Sequence, residues 1–225
     1  MTGETIGSRR RSAVRLKMAR KHKPSSQKWL LRQLNDPYVI AAKEKGLRSR
    51  AAFKLIELDG KFGLIRKGAR VVDLGAAPGG WTQVALERGA ARVVGIDLLD
   101  IEPIGGAVLI KGDFQDDSMP ATLAEALGGP VDLVMSDMAP NTTGHTATDH
   151  LRIMGLAELA LDFAFRHLAP GGAFVTKLFQ GGAQGEMLET LKRRFAVVRH
   201  AKPEASRKDS RELYVVATGY RPEEG

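Results

Sequence analysis

The chain has 225 residues, 43 % of them hydrophobic, and a net charge of +8; that is enough material for one core with an appendage and too little for two well-filled domains. Cysteine is absent and the five histidines (His22, His145, His150, His167 and His200) fall at no metal-ligand spacing, which excludes a disulfide framework, a thiolate nucleophile and a sulfur-built zinc site and leaves no metal expected. No apolar run approaches the roughly 18 residues of a membrane span and no secretory apolar core follows the basic start, so a cytoplasmic protein with no membrane partner is expected. A monomer is the expectation for its assembly.

The excess charge sits at one end. Residues 1 to 28 hold nine Lys/Arg, Arg9, Arg10 and Arg11 among them, against the single acid Glu4, whereas the rest of the chain balances 25 basic against 25 acidic groups. With almost no apolar periodicity, this stretch reads as a flexible tail that takes shape on a polyanion. Nucleic acid is the expected partner, because each phosphate neutralised releases counterions. A solubilising tail or an Arg-rich targeting peptide is the alternative. Residues 29 to 225 read as a single domain.

Past the tail, S-R-A-A-F-K-L-I-E-L predicts a helix capped by Ser49 and ending near Gly60 or Gly63. Strands are expected at 70 to 75, 92 to 98, 107 to 110, 131 to 137, 172 to 179, 196 to 201 and 212 to 219, with helices at 78 to 88, 118 to 127, 150 to 168 and 185 to 195 between most of them. In the longest helix Glu158, Asp162 and Arg166 share one polar stripe, as suits a helix lying on a sheet. Such alternation predicts a Rossmann-like α/β fold: a mostly parallel, doubly wound seven-stranded sheet with helices on both faces. The last two strands are joined by ten residues without helical period, so strand 212 to 219 is expected to run antiparallel near the sheet edge.

V-V-D-L-G-A-A-P-G-G-W, residues 71 to 81, ends the first strand at the edge where open α/β sheets bind ligands. Its order Gly75-Ala76-Ala77-Pro78-Gly79-Gly80 lacks the second glycine of a dinucleotide loop and spends one position on a residue without an N–H. It suits a nucleoside cofactor without phosphates. Asp97, after the second strand, is placed to take both hydroxyls of a ribose, and Asp113, after the third, to accept from an adenine amine. A ribose, an adenine and no pyrophosphate point to S-adenosyl-L-methionine. The alternative for each acid alone is a cap or a turn.

D-L-G-A-A-P-G-G-W, G-L-R-S-R-A-A-F-K-L, S-D-M-A-P-N and L-F-Q-G together resemble the FtsJ/RrmJ (RlmE) family of ribosomal RNA 2′-O-ribose methyltransferases, over about Ser25 to Gly219. The resemblance implies a methyltransferase fold, S-adenosyl-L-methionine as donor, and a uridine ribose of 23S rRNA in the large (50S) ribosomal subunit as target. It implies a catalytic Lys-Asp-Lys-Glu set, which falls on Lys54, Asp137, Lys177 and Glu212. The cofactor loop falls on Asp73, Gly75, Pro78, Gly79, Gly80 and Trp81, with Asp97, Asp113 and Asp137 as its acids.

Topology agrees for three of the four. Asp137 and Lys177 close the fourth and fifth parallel strands, and Glu212 opens an antiparallel one, so all three reach the ligand edge. Lys54 rests on resemblance alone. A ribose 2′-hydroxyl is a weak nucleophile that needs positioning and a base. Lys177 is the expected base; Lys54 favours its neutral form and helps steer the ribose or phosphate, while Asp137 and Glu212 orient the two amines. Surface ion pairs, Lys54 with Glu57 or Glu212 with Arg211, are the bland alternative.

Lys202, Arg207, Lys208 and Arg211 hang beside Glu212, and with Arg48, Arg50 and the tail they predict a basic track for an RNA backbone. Aromatics are sparse at 6 %, so recognition through RNA shape and phosphates is expected rather than stacking. Alternatives are methylation of transfer RNA or a messenger cap, a non-catalytic ribosome-assembly factor, and a nicotinamide-dependent oxidoreductase.

Overall fold

Runs of Val, Ile and Leu bounded by glycine become the strands of one sheet: β1 Arg70–Leu74, β2 Arg92–Asp97, β3 Ala107–Lys111, β4 Val131–Ser136, β5 Leu168–Phe179, β6 Phe195–Ala201 and β7 Glu212–Tyr220. The computed structural model describes residues 24–140, 143–181 and 184–223, so Arg9, Arg10 and Arg11 lie outside the described residues. The strand order is β3-β2-β1-β4-β5-β7-β6. Neighbours from β3 through β5 pair in parallel, while β7 is antiparallel to both β5 and β6, as its helix-free connection requires. Helices α1 Pro24–Asn35, α2 Pro37–Glu44, α3 Ala51–Phe62, α4 Gly80–Glu87, α5 Met119–Leu127, α6 Thr146–His167 and α7 Gly185–Arg194 complete the order.

Successive side chains of a strand point to opposite faces, and the buried strands split accordingly. Val72, Leu74, Val134 and Phe174 pack under α5, α6 and α7, whereas Val71, Leu133, Val175, Tyr214 and Val216 pack under α3 and α4. The same parity assigns the functional residues. Lys177 follows Ala173 and Val175, Asp137 follows Leu133 and Met135, and Glu212 precedes Tyr214 and Val216, so all three face α3. Lys54 lies on that helix.

Several boundaries differ from expectation. Ser49 is not the cap of α3: Arg50 occupies the N-cap without a side-chain capping bond, and the Ser49 hydroxyl is buried against Gly80 instead. The helix does end at Gly63, whose φ of +62° few other residues accept. β5 starts at Leu168 because that residue pairs with Val131 ahead of an irregularity in the register. A helix over Pro37–Glu44 was signalled by Asp36, whose carboxylate accepts from the Tyr38 and Val39 amides at 3.0 and 3.3 Å, and by Pro37 at the first position. The expected division at residue 28 falls within α1. Among the described residues no helix is long and apolar enough to cross a membrane, and no cluster of acidic or histidine side chains could hold a metal ion.

Candidate active site

A cleft of 860 Å³ opens at the carboxyl ends of β1 to β4, walled on its far side by α6. Gly75, Asp97 and Asp113 line it, as the sequence predicts, and Met138, Ala139 and Pro140 after β4 close it. Gly75 turns at φ +80°, and a Cβ there would stand 2.9 Å from the Met138 backbone, so only glycine lets the two loops approach. The Ala77 N–H donates to Asp97 Oδ2 at 3.0 Å and the Leu99 N–H to Oδ1 at 2.9 Å. Each oxygen keeps a lone pair for a ligand hydroxyl. Asp113 is held in a similar turn by the Gln115 N–H at 2.9 Å. The lining carries four carboxylates, Asp97, Asp113, Glu158 and Asp162, against one cation, Arg152. That balance is hostile to a pyrophosphate and favourable to a ligand with hydroxyls, amines or positive charge.

Not every residue expected at the cofactor lines this cleft. Trp81 is 3 % exposed; its indole N–H donates to the Ala51 carbonyl at 2.8 Å and its ring lies tilted against Tyr214, so it braces the loop from below. Gly80 packs against Ser49, and Gly79 opens α4 at φ +102°. Pro78 presents its carbonyl to Arg48. Asp73 is the clearest correction: it is wholly buried, with Thr82 Oγ1 donating to Oδ2 at 2.7 Å and Oδ1 without a partner among the described residues. The parity of β1 turns its side chain under α4, away from the cleft.

Burial pushes the Asp73 carboxyl from 3.8 up to about 7, opposed by the Thr82 hydrogen bond and helped by the charges of Asp137 and Asp97. Because the folded value exceeds the unfolded one, the penalty is absent below pH 3.8, grows toward pH 7 and is complete above it. At full strength it is on the order of 4 kcal/mol. Asp73→Asn, which keeps the shape, is expected to gain stability over the native chain as pH rises through that window. Denaturant melts of both proteins from pH 4 to 8 check it; a pH-independent difference is the contrary result.

Beside the cleft the four expected catalytic residues converge. Lys177, 7 % exposed, sets Nζ 3.0 Å from Asp137 Oδ1 and also donates to the Asp137 carbonyl. Lys54 Nζ lies 3.0 Å from Glu212 and 4.0 Å from Asp137 Oδ2. One carboxylate therefore meets both amines. Burial alone would raise Asp137, but Lys177, Lys54 and a tyrosine hydroxyl outweigh it and hold the carboxyl below its usual range, so it stays ionised.

That tyrosine, Tyr214, was absent from the sequence reading. Its hydroxyl donates to Asp137 Oδ1 at 2.6 Å and accepts from Lys54 Nζ at 3.2 Å. Burial, then the charges of Asp137 and Glu212, push its pKa well above the ordinary value, so it remains a donor. The signal was available: Tyr214 is two residues beyond Glu212 on the same strand face and stands directly opposite Lys177. Tyr214→Phe is expected to lower turnover about tenfold and stability by about 1–2 kcal/mol, since Asp137 loses a buried donor. Parallel rate and melting measurements test it.

The basic residues fall in three settings. Arg50 donates to Asp36 at 2.6 Å and to the Ala205 carbonyl, Arg207 Nε lies 3.7 Å from Asp36, and Arg32, Arg50 and Arg207 ring a pocket of 340 Å³ that Lys54 and Glu212 also line. Lys202 and Arg211 are tied to the Ser210 and Gln180 carbonyls at 2.7 and 3.0 Å, and Lys208 is exposed. Arg48 does not line this pocket; it lies against the loop after β1 and the connection after β2.

Residues 47–220 match the family model described as FtsJ-like methyltransferase. The chain is 88 % identical, over 99 % of both chains, to a ribosomal RNA large subunit methyltransferase E of Acidiphilium cryptum. It is 70 % identical to the protein of that name from Granulibacter bethesdensis, over 95 % of this chain and 93 % of that one. Among solved structures it resembles one described as a ribosomal RNA methyltransferase of Plasmodium falciparum, at 33 % identity and TM-score 0.68, over 78 % of this chain and 100 % of the other.

Proposed function

Because the chain belongs to the FtsJ-like methyltransferase family, we propose that it transfers a methyl group from S-adenosyl-L-methionine to the 2′-hydroxyl of a uridine ribose in 23S rRNA of the large ribosomal subunit. The observation that carries this reading is the Asp137 carboxylate, which gathers Lys177, Lys54 and Tyr214 at the rim of an acid-rich cleft. The names of the relatives support the RNA, and the cleft's chemistry supports the cofactor.

Asp97 would accept from the ribose hydroxyls of the cofactor and Asp113 from its adenine amine, and the β1 and β4 loops beside Asp137 would receive its amino-acid end. Bound there, the cofactor would supply an electrophilic methyl group on a sulfonium. Lys177, after losing one of its own protons to solvent, takes the proton from the attacking 2′-hydroxyl as the new O–C bond forms and the methyl–sulfur bond breaks, which would release the donor as its neutral thioether, and it ends the step as an ammonium paired with Asp137. Lys54, held by Glu212 and Tyr214, keeps its charge toward the pocket ringed by Arg32, Arg50 and Arg207, where a phosphate next to the target ribose is received. Lys202, Lys208, Arg211 and the basic segment 1 to 28 extend that grip along the RNA backbone.

The test is direct. Purified large-subunit RNA and subunits, with S-adenosyl-L-methionine labelled in its methyl group, should acquire one 2′-O-methylated uridine in the presence of the protein. A melting temperature raised by a nicotinamide dinucleotide and not by S-adenosylhomocysteine would overturn the assignment.

A further inference from the structure

Arg48 is spent on the main chain. Its Nη1 donates to the Glu102 carbonyl at 2.6 Å and to the Pro78 carbonyl at 3.4 Å, and Nη2 donates to the Pro103 carbonyl at 2.7 Å. Its own backbone N–H donates to Gln83 Oε1 at 3.1 Å. These acceptors come from three segments: the loop after β1, the connection that follows Asp97, and α4. A Cβ at Gly79 would lie 3.1 Å from Arg48 Cδ, so the stem packs flush on that loop. None of the ion pairs among the described residues includes Arg48.

A planar fork is the side chain suited to this task. It can hold acceptors on two loops at fixed angles, whereas an ammonium offers a point charge without that geometry. From inside the cleft, Asp97 grips the same loop through the Ala77 N–H. The loop is thus clamped between an acid that faces the ligand and a guanidinium behind it.

We propose that Arg48 is a positioning residue for the adenosyl cofactor, which sets cofactor affinity by locking residues 77–79 against residues 102–103 and takes no part in gripping RNA. The inference rests on the functional reading above. The same segment continues through Ala51, whose carbonyl accepts from Trp81, into the helix that bears Lys54. Because Trp81 still anchors that segment at Ala51, a loosened clamp raises the KM for cofactor far more than it lowers kcat at saturation.

Calorimetric titration with S-adenosylhomocysteine, and binding of a large-subunit rRNA fragment at several salt concentrations, are to be run on the full chain and on Arg48→Ala, Arg48→Lys and Arg207→Ala. Arg48→Ala is expected to weaken S-adenosylhomocysteine about tenfold, and Arg48→Lys less, with RNA affinity and its salt slope unchanged in both. Arg207→Ala should do the reverse. Unchanged S-adenosylhomocysteine binding together with weakened RNA binding in Arg48→Ala would make Arg48 an RNA contact and overturn the clamp. Parallel losses of both ligands with a lower melting temperature of the free protein would overturn it too, as a general fold defect. Failure of the native chain to bind S-adenosylhomocysteine would instead remove the functional reading itself.

Discussion

Lys177→Ala is expected to reduce single-turnover methyl transfer about a thousandfold or more, with S-adenosylhomocysteine affinity within about twofold of native. The amine is not among the groups lining the cofactor cleft, so its loss leaves the cofactor contacts intact. Its partners are the carbonyl and carboxylate of Asp137, beside that cleft. Lys177→Arg should fail equally, because a guanidinium fills much of the same space and never surrenders its proton. Alanine removes a buried cation from a partly buried carboxylate, so the melting temperature must be read alongside to confirm a folded variant. Turnover near the native rate in either folded variant would exclude Lys177 as base.

Asp137→Asn is expected to cost turnover about a hundred- to a thousandfold and stability about 3–5 kcal/mol, the larger structural effect of the two. An amide of the same shape cannot compensate two ammonium groups, and Lys177, Lys54 and Tyr214 all lose their shared acceptor. Acid titration separates this from a simple packing loss. A carboxyl held below its unfolded pKa contributes stability that is present above the unfolded value and disappears as pH falls through the folded one. The native chain should therefore lose its advantage over Asp137→Asn in acid, below about pH 4. An advantage that persists undiminished to pH 2 would contradict the assigned pairing.

Much of this site could be read from the chain because it hangs on strands. A residue on a strand has a face and an end, and both follow from period and direction alone; that located Asp137, Lys177 and Glu212, the last through the antiparallel sense of β7. Tyr214 was reachable by the same rule and was passed over. Lys54 was not reachable, since a helix ahead of β1 has no register with the sheet until packing of Leu55 and Leu58 fixes it. The main-chain partners of Arg48 were out of reach for a related reason. An exposed-looking arginine beside others suggests a polyanion, and nothing in the local sequence reveals carbonyl acceptors more than fifty residues further along the chain. Asp73 sits in a cofactor motif, and only the direction of its side chain under α4 shows that it supports the loop rather than the ligand.

The position of β7 bears on when the protein becomes competent during its own synthesis. Although late in the chain, β7 lies inside the sheet, between β5 and β6, and brings both Glu212 and Tyr214. Until residue 220 has emerged from the ribosome, β5 and β6 each present an open edge to the other, Lys54 lacks Glu212 and Tyr214, and Asp137 has Lys177 but not Tyr214. Every residue that lines the 860 Å³ cleft, none later than Asp162, is therefore translated before the strand that supplies Glu212 and Tyr214.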